Sequence, residues 1–237
     1  MLLNQRVVAL VPMKGHSERV PGKNVRPFGG RPLFHHILGT LEDVYAVDEV
    51  LVDTDSEQIA REAPEAFAKV RIIPRPEELR GDFVSMNDII AHDLAQAKAD
   101  ICLQTHATNP LLRADTISDA LRQFAQSDEH DSLFSVNRIQ TRLYFADGRP
   151  INHDPTKLIR TQDLPPVYEE NSCLYVFTRE SFAAAGRRRI GARPLMYETD
   201  RIESIDIDDE FTFGLAELLS RYAHERGPRH WQRPSRS

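Results

Sequence analysis

Apolar runs of strand length alternate with amphipathic stretches of helical period as far as Val136, and this alternation constrains the fold more than any other feature. Segments 7–11, 49–55, 70–73, 100–105 and 132–136 read as strands. Segment 32–44 reads as a helix, because Leu33, Phe34, Ile37, Leu38 and Leu41 recur at its period. Ser56 caps a second helix running to about Lys69, with Asp55 also read as a cap near its start. Segments 82–97 and 114–127 supply two more. Strand and helix in turn at this pitch predict an α/β fold, a mostly parallel sheet doubly wound by helices on both faces. Such sheets bind ligands at the carboxyl ends of their strands. The loop after Val11, the acids Asp53 and Asp55, and segment 104–110 therefore fall on one edge.

The alternation breaks between residues 139 and 170, a stretch rich in Pro, Asp and Arg with a turn at Asp147-Gly148. It reads as an inserted flap. Regular structure returns at 173–178, and 201–209 alternates with period two like a half-buried strand before a helix over 209–223. The 227–237 tail is polar and basic and reads as flexible. With 237 residues, 41% of them hydrophobic, the chain suits a single domain over 1–237. Cys102 and Cys173 lack metal or redox spacing and read as buried thiols. No apolar run approaches the roughly 20 residues of a membrane span, and the N-terminus lacks the order of a signal peptide, so the reading is cytoplasmic.

Between strand 7–11 and the first helix lies Met13-Lys14-Gly15-His16-Ser17-Glu18-Arg19-Val20-Pro21-Gly22-Lys23-Asn24. Gly15 lets backbone approach a ligand, and Lys14, Arg19 and Lys23 can surround one anion. Residues 1–32 carry six cations against Glu18, a local +5 in a chain of net −6. That imbalance points to a compact anion such as a phosphate, not to nucleic acid or a membrane. Neither a P-loop nor a dinucleotide fingerprint is present: six residues separate Gly15 from Gly22, and Asn24 follows Lys23.

Near the other end, Asp206 and Asp208 lie two apart, so in an extended strand both carboxylates share a face while Ile205 and Ile207 take the other. Two readings fit. Paired carboxylates repel unless a cation bridges them, and Mg²⁺ favours such oxygen ligands. Alternatively they belong with Asp209 and Glu210 to a solvated strand end and the acidic first turn of a helix.

Taken together, these segments resemble the cytidylyltransferases that activate 3-deoxy-2-ulosonic acids: CMP-N-acylneuraminate (sialic or nonulosonic acid) cytidylyltransferases and, more distantly, CMP-Kdo synthetases. The resemblance rests on 11–24, then Val52-Asp53-Thr54-Asp55-Ser56, Arg75-Pro76-Glu77-Glu78-Leu79, Thr108-Asn109-Pro110-Leu111-Leu112-Arg113, Gln162-Asp163-Leu164-Pro165 with Asn171, and Ser204-Ile205-Asp206-Ile207-Asp208, in that order. It implies a Rossmann-like, glycosyltransferase-A-like nucleotidyltransferase fold with 139–170 as a dimerisation flap. It also implies transfer of CMP from CTP to the anomeric hydroxyl of a nine-carbon or eight-carbon sugar acid, with Mg²⁺ as cofactor and a homodimer as the assembly. By the same resemblance Lys14, Arg19, Lys23 and Asp208 are catalytic, and Asp206 and Asp208 hold the metal. Nucleotide contact falls to Lys14, Gly15, Ser17, Lys23, Asn24, Arg75 and Ser85, and substrate contact to His106, Thr108, Asn171 and Arg160. Arg142, Lys157 and Arg160 are the flap cations available to a neighbouring site.

The departures cluster on the sugar side. Lys14 stands for the usual arginine and Glu18 for lysine, with Arg19 beside it as in the Kdo-type loop. His106 takes the place of a sugar-contacting glutamine, Asn171-Ser172-Cys173 replaces Asn-Gly-Ala, and Glu169 stands where sialate enzymes carry arginine. Two alternatives stay open: Kdo or another sugar on the same fold, and a nucleotide-sugar-binding protein without catalysis. The glutamates favour the second, and the intact Asp206 and Asp208 oppose it.

Overall fold

The computed structural model describes residues 5–17, 19–81 and 83–226; Glu18, Asp82 and the 227–237 tail lie outside the described residues. In chain order the strands are β1 (Val7–Leu10), β2 (Pro27–Phe28), β3 (Arg31–Pro32), β4 (Glu49–Thr54), β5 (Val70–Pro74), β6 (Ile101–Thr105), β7 (Ser132–Ile139), β8 (Val167–Phe177) and β9 (Pro194–Glu198). The α-helices are α1 (Phe34–Asp43), α2 (Glu57–Ala66), α3 (Met86–Gln96), α4 (Ala114–Ala125), α5 (Arg179–Ala184) and α6 (Glu210–Arg226).

Every residue of β1 is buried, and its alternate side chains feed different cores. Val7 and Ala9 join Ile37 and Leu38 of α1, Ile59 of α2 and Ile117 of α4. Val8 and Leu10 join Ile90 and Leu94 of α3 and Phe182 of α5. A strand that is apolar throughout is what a sheet covered on both faces requires. The seven-stranded sheet has the order β5-β4-β1-β6-β8-β7-β9. Neighbours pair parallel except at β8, which runs against both β6 and β7. The sheet is therefore mostly parallel and doubly wound. A third core cluster seats Phe213 and Ala216 of α6 against Phe28, Leu33 and Ile207.

The helix signals act as their chemistry dictates. The Ser56 hydroxyl accepts from the Ile59 amide at 3.3 Å and starts α2, and the Ser85 hydroxyl accepts from the Asn87 amide at 3.2 Å and starts α3. The helix expected over 32–44 begins two residues late, because Pro32 pairs with Pro27 in the β2–β3 ribbon. The helix expected from 82 begins at Met86, after its serine cap. Segment 201–209 is not a strand: 201–204 is a turn and 205–208 extends without joining the sheet. Its period-two pattern reflects Ile205 and Ile207 packing into the third cluster, while β9 occupies the sheet edge beside β7. β9 and α5 carry no strong sequence signal. The flap is a long β7–β8 hairpin whose 140–166 arm holds a Tyr144–Pro150 bridge and a 3₁₀ turn at Thr161–Asp163.

Candidate active site

Pairing between β1 and β4 continues past the end of β1. The Val11 amide donates to Leu51 O and the Met13 amide to Asp53 O, each at 2.8 Å, skipping Pro12, which has no donor. The chain then settles on the start of α2. The Gly15 amide donates to Asp55 Oδ1 at 2.6 Å, and a β-carbon on Gly15 would lie 3.2 Å from Ser56 Cβ. Asp55 thus anchors the loop, and the helix cap it was expected to provide comes from Ser56. Gly22 turns the chain at φ +62°, and Asn24 Nδ2 closes the loop by donating to Lys14 O at 2.9 Å. Gly15 and Asn24 fix the loop backbone, and the cations project from a fixed frame.

That frame borders a cavity of about 370 Å³ at the carboxyl edge of the sheet. Lys14, Ser17, Arg19, Lys23 and Asn24 line it from the loop, Arg75 from beyond β5, and His106 and Thr108 from beyond β6. Val84, Met86 and Ile89 supply an apolar wall at the start of α3. Ser85 lies between two lining residues but its hydroxyl is the α3 cap. Asn171 is not among the lining residues. Its amide donates to Asn137 Oδ1 and Thr199 Oγ1 and accepts from Ser135 and the Cys173 amide, tying β7, β8 and the end of β9 together. Arg160 lies in the flap, paired with Asp163 at 2.7 Å. Arg142 and Lys157 are likewise engaged within the flap, with Ile159 O and Asp154. Glu169 accepts from Asn137 at 3.1 Å on the outer part of the hairpin.

The acidic pair faces the cationic loop. Lys23 Nζ donates to Ile207 O at 2.5 Å, and Arg19 pairs with Asp208 Oδ1 at 2.9 Å. Burial lowers the Lys23 pKa, with the charges of Asp206 and Asp208 opposing the shift. Burial raises the Asp206 pKa, reinforced by the Asp208 charge and opposed by a Thr108 hydrogen bond. Asp206 Oδ1 is buried with no hydrogen-bond partner. A buried carboxylate oxygen without a donor, beside a second carboxylate, fits a divalent cation. No third histidine, cysteine or carboxylate joins the pair among the described residues, so a cation there would complete its shell with water and phosphate oxygens.

Behind the cavity Arg75, 4% exposed, directs Nε to Asp53 Oδ1 at 2.5 Å and Nη2 to Asp53 O at 3.2 Å. Its fork is committed to β4, and only part of it faces the cavity. Asp93 of α3 meets Asp53 in the same buried cluster, and as carboxylates their facing oxygens would have no donor. Burial, then the contact with Asp53, raises the Asp93 pKa well above the carboxylate range, so Asp93 is the protonated member and donates to Asp53. Sequence reasoning did not single out Asp93, nor Gln104 and Arg189, whose amide and guanidinium stand behind His106. His106 is held neutral, its pKa lowered to about 4 by burial and by the charges of Arg189 and Lys23.

An open α/β sheet carrying a cationic loop opposite paired carboxylates at its carboxyl edge defines a nucleotidyltransferase architecture. The chain belongs to the cytidylyltransferase family, whose model, described as "Cytidylyltransferase", matches residues 8–212. N-acylneuraminate cytidylyltransferase of Oncorhynchus mykiss is 28% identical over 223 residues, 90% of this chain and 50% of that protein. CMP-N,N'-diacetyllegionaminic acid synthase of Legionella pneumophila is 27% identical over 232 residues, 93% of this chain and 98% of that one. The chain therefore spans about half the length of the first relative and nearly all of the second. Among solved structures, a CMP:2-keto-3-deoxy-manno-octonic acid synthetase complexed with CTP shares the fold with a TM-score of 0.68 at 15% identity, covering 92% of this chain and 99% of that one. A 4-diphosphocytidyl-2C-methyl-D-erythritol synthase from Anaerococcus prevotii shares it with a TM-score of 0.69 at 11% identity, covering 92% and 96%.

Proposed function

We propose that this chain is a Mg²⁺-dependent cytidylyltransferase that transfers CMP from CTP to the anomeric hydroxyl of a sialic-acid-like sugar acid. The observation that carries the reading is the meeting of loop and acidic pair, with Lys23 and Arg19, which line the cavity, facing Asp206 and Asp208. Lys14, Arg19 and Lys23 would hold the triphosphate and balance charge as it moves onto the leaving pyrophosphate. The sugar hydroxyl forms its bond to the α-phosphorus as the bond to the β-phosphate oxygen breaks, and the hydroxyl proton passes to water. Asp206 and Asp208 would hold Mg²⁺, which supplies charge neutralisation at the phosphate oxygens. His106 and Thr108 border the space left for the sugar acid.

A nonulosonic acid is the preferred acceptor, because relatives covered along most of this chain are named for such acids. A homodimer fits the flap, where Phe145 is 50% and Leu158 91% exposed, and light scattering in solution tests it. No helix among the described residues is long and apolar enough to cross a membrane, and both cysteines are free and buried, which suits the cytoplasm.

The test is pyrophosphate release with Mg²⁺ and CTP against N-acetylneuraminate, legionaminate, pseudaminate and Kdo. Release with a nonulosonic acid, lost when ATP replaces CTP, is expected. Release with Kdo alone would move the substrate to the octulosonate class. CTP binding without release would leave a binding protein, and no CTP binding would overturn the reading of the loop.

A further inference from the structure

A second cavity of about 370 Å³, lined by Glu170, Tyr175 and Arg189 among others, borders the same stretch of α3 as the first, Asn87 lining the second and Met86 and Ile89 the first. Arg189 is a half-buried cation with a chain of contacts that leads out of that cavity. Its guanidinium stacks over the Tyr175 ring at 4.0 Å from the centroid, and the Tyr175 hydroxyl donates to Glu170 and lies 3.0 Å from Ser172 Oγ. Its Nη1 donates to Gln104 Oε1 at 2.6 Å. Gln104 is fully buried, and its Nε2 donates to Thr105 O at 3.1 Å and lies 2.9 Å from His106 Nε2. His106 lines the first cavity.

Donor and acceptor chemistry allows one assignment along this chain. A guanidinium only donates, so the Gln104 atom facing it is the carbonyl oxygen, and the amide nitrogen faces His106. An amide nitrogen only donates, so His106 Nε2 must be bare and accept. The imidazole is then neutral with its proton on Nδ1, since a proton on Nε2 would set N–H against N–H₂ inside the fold. We propose that Arg189 is a positioning residue: it orients Gln104, and Gln104 locks His106 as the neutral Nδ1–H tautomer at the wall of the nucleotide cavity. The value of such a lock follows from the wall itself. Lys14, Arg19, Lys23 and Arg75 already bring four cations there, and a neutral donor orients a substrate oxygen without adding a fifth. Arg189 also lines the second cavity, so the lock is set from outside the cavity where it acts.

The inference rests on the first cavity being the reaction site, but its test does not depend on turnover. Long-range ¹H–¹⁵N spectra of histidine-labelled full-length protein report tautomer and charge directly, with His106 assigned by the resonance lost in His106→Gln. The expected wild-type signal is Nδ1–H, unchanged from pH 8 down to 5. The charged groups facing His106 are Lys23 and Arg189, both of which oppose its protonation. Arg189→Met removes one of those charges and frees the Gln104 amide, so the tautomers should mix and the ring should titrate at higher pH. Arg189→Lys, which keeps a donor, should restore the Nδ1–H signal. Gln104→Glu replaces the donor with an acceptor and should bring His106 protonation into the pH 5–8 range. In turnover assays Arg189→Met should gain a pH-dependent limb absent from wild type and from Arg189→Lys. An Nε2–H signal in wild type, which needs no variant to fold, would overturn the proposal. So would an unchanged tautomer and titration in Arg189→Met.

Discussion

The half of the sheet formed by β5, β4, β1 and β6 and the half formed by β8, β7 and β9 meet where β6 pairs with β8, but they are wired differently. The parallel half holds its cations on a loop whose backbone is anchored at Gly15, Gly22 and Asn24. Its deeper charges form one buried cluster of Arg75, Asp53 and Asp93. The β8 half relies on a neutral amide, Asn171, both of whose side-chain atoms are engaged within the fold, and its charges Glu170 and Arg188 stand at a cavity rim. The difference separates two tasks. Fixed positive charge suits a triphosphate, whose charge does not vary between substrates. Amides and rim charges suit an acceptor, whose substituents do.

The division is broken most directly at the acidic pair. Asp208→Ala should lower kcat by about 10³-fold, roughly 4 kcal/mol of transition-state stabilisation, while leaving measurable CTP affinity through Lys14 and Lys23. Turnover within a few-fold of wild type would remove the pair from the mechanism and return it to the role of a helix-start acid cluster.

The buried cluster gives the next effect, on stability. Asp53→Asn leaves the Arg75 guanidinium buried without its counter-charge and should cost about 3–5 kcal/mol. Asp93→Asn, by contrast, keeps a donor toward Asp53 and should be tolerated. The sign of its pH dependence follows from the raised Asp93 pKa. Between the ordinary carboxylate range near pH 4 and that raised value, the folded chain keeps a proton the unfolded chain has released, so wild-type stability falls as pH rises. Asp93→Asn has no such proton, and its stability relative to wild type should grow from pH 5 to pH 8 in urea titrations. Parallel curves would show that Asp93 is ionised in the fold.

On the acceptor side the effects should be smaller and confined to one substrate. Glu170→Gln keeps an acceptor for the Tyr175 hydroxyl but removes the rim charge of the second cavity. Through Tyr175, Arg189 and Gln104 it acts on His106, which borders the space proposed for the sugar acid, so it should change KM for the sugar acid by about 10-fold, near 1.4 kcal/mol, with KM for CTP unchanged. An equal change in both constants would erase the distinction between the halves.

The same contrast accounts for what was legible in the sequence. β1, β4 and β6 read as strands because a sheet covered on both faces leaves continuous apolar runs, and the loop after β1 read as a site because its cations and glycines are close in sequence. Asp206 and Asp208 were legible through their spacing, although the alternation around them proved to be packing of Ile205 and Ile207 and not a sheet ladder. β9 was hidden because its pairing with β7 is set by tertiary contact, and Pro194 reads against a strand. Gln104 and Arg189 were hidden for a different reason: 85 residues separate them, and neither a strand amide nor one arginine among several signals a contact. Asn171 shows the converse. Its place in a motif suggested ligand contact, and the fold uses every one of its polar atoms internally.

The smallest effect concerns backbone conformation. Gly22 in the nucleotide loop and Ser172 beside Tyr175 adopt nearly the same left-handed backbone, at φ +62° and +58°. In the loop a glycine takes this conformation without penalty; in the β8 half a serine takes it, at about 1 kcal/mol. Its hydroxyl, 3.0 Å from the Tyr175 hydroxyl, partly offsets that cost. Comparing Ser172→Ala with Ser172→Gly isolates the backbone contribution, since both lose the hydroxyl. The glycine variant should be the more stable by about 0.5 kcal/mol, the relief of left-handed strain less the added freedom of its unfolded chain. Urea unfolding of the pair checks this. An alanine variant as stable as the glycine variant would mean that the β8 half carries no strain at this turn, and the two halves would then differ in charge alone.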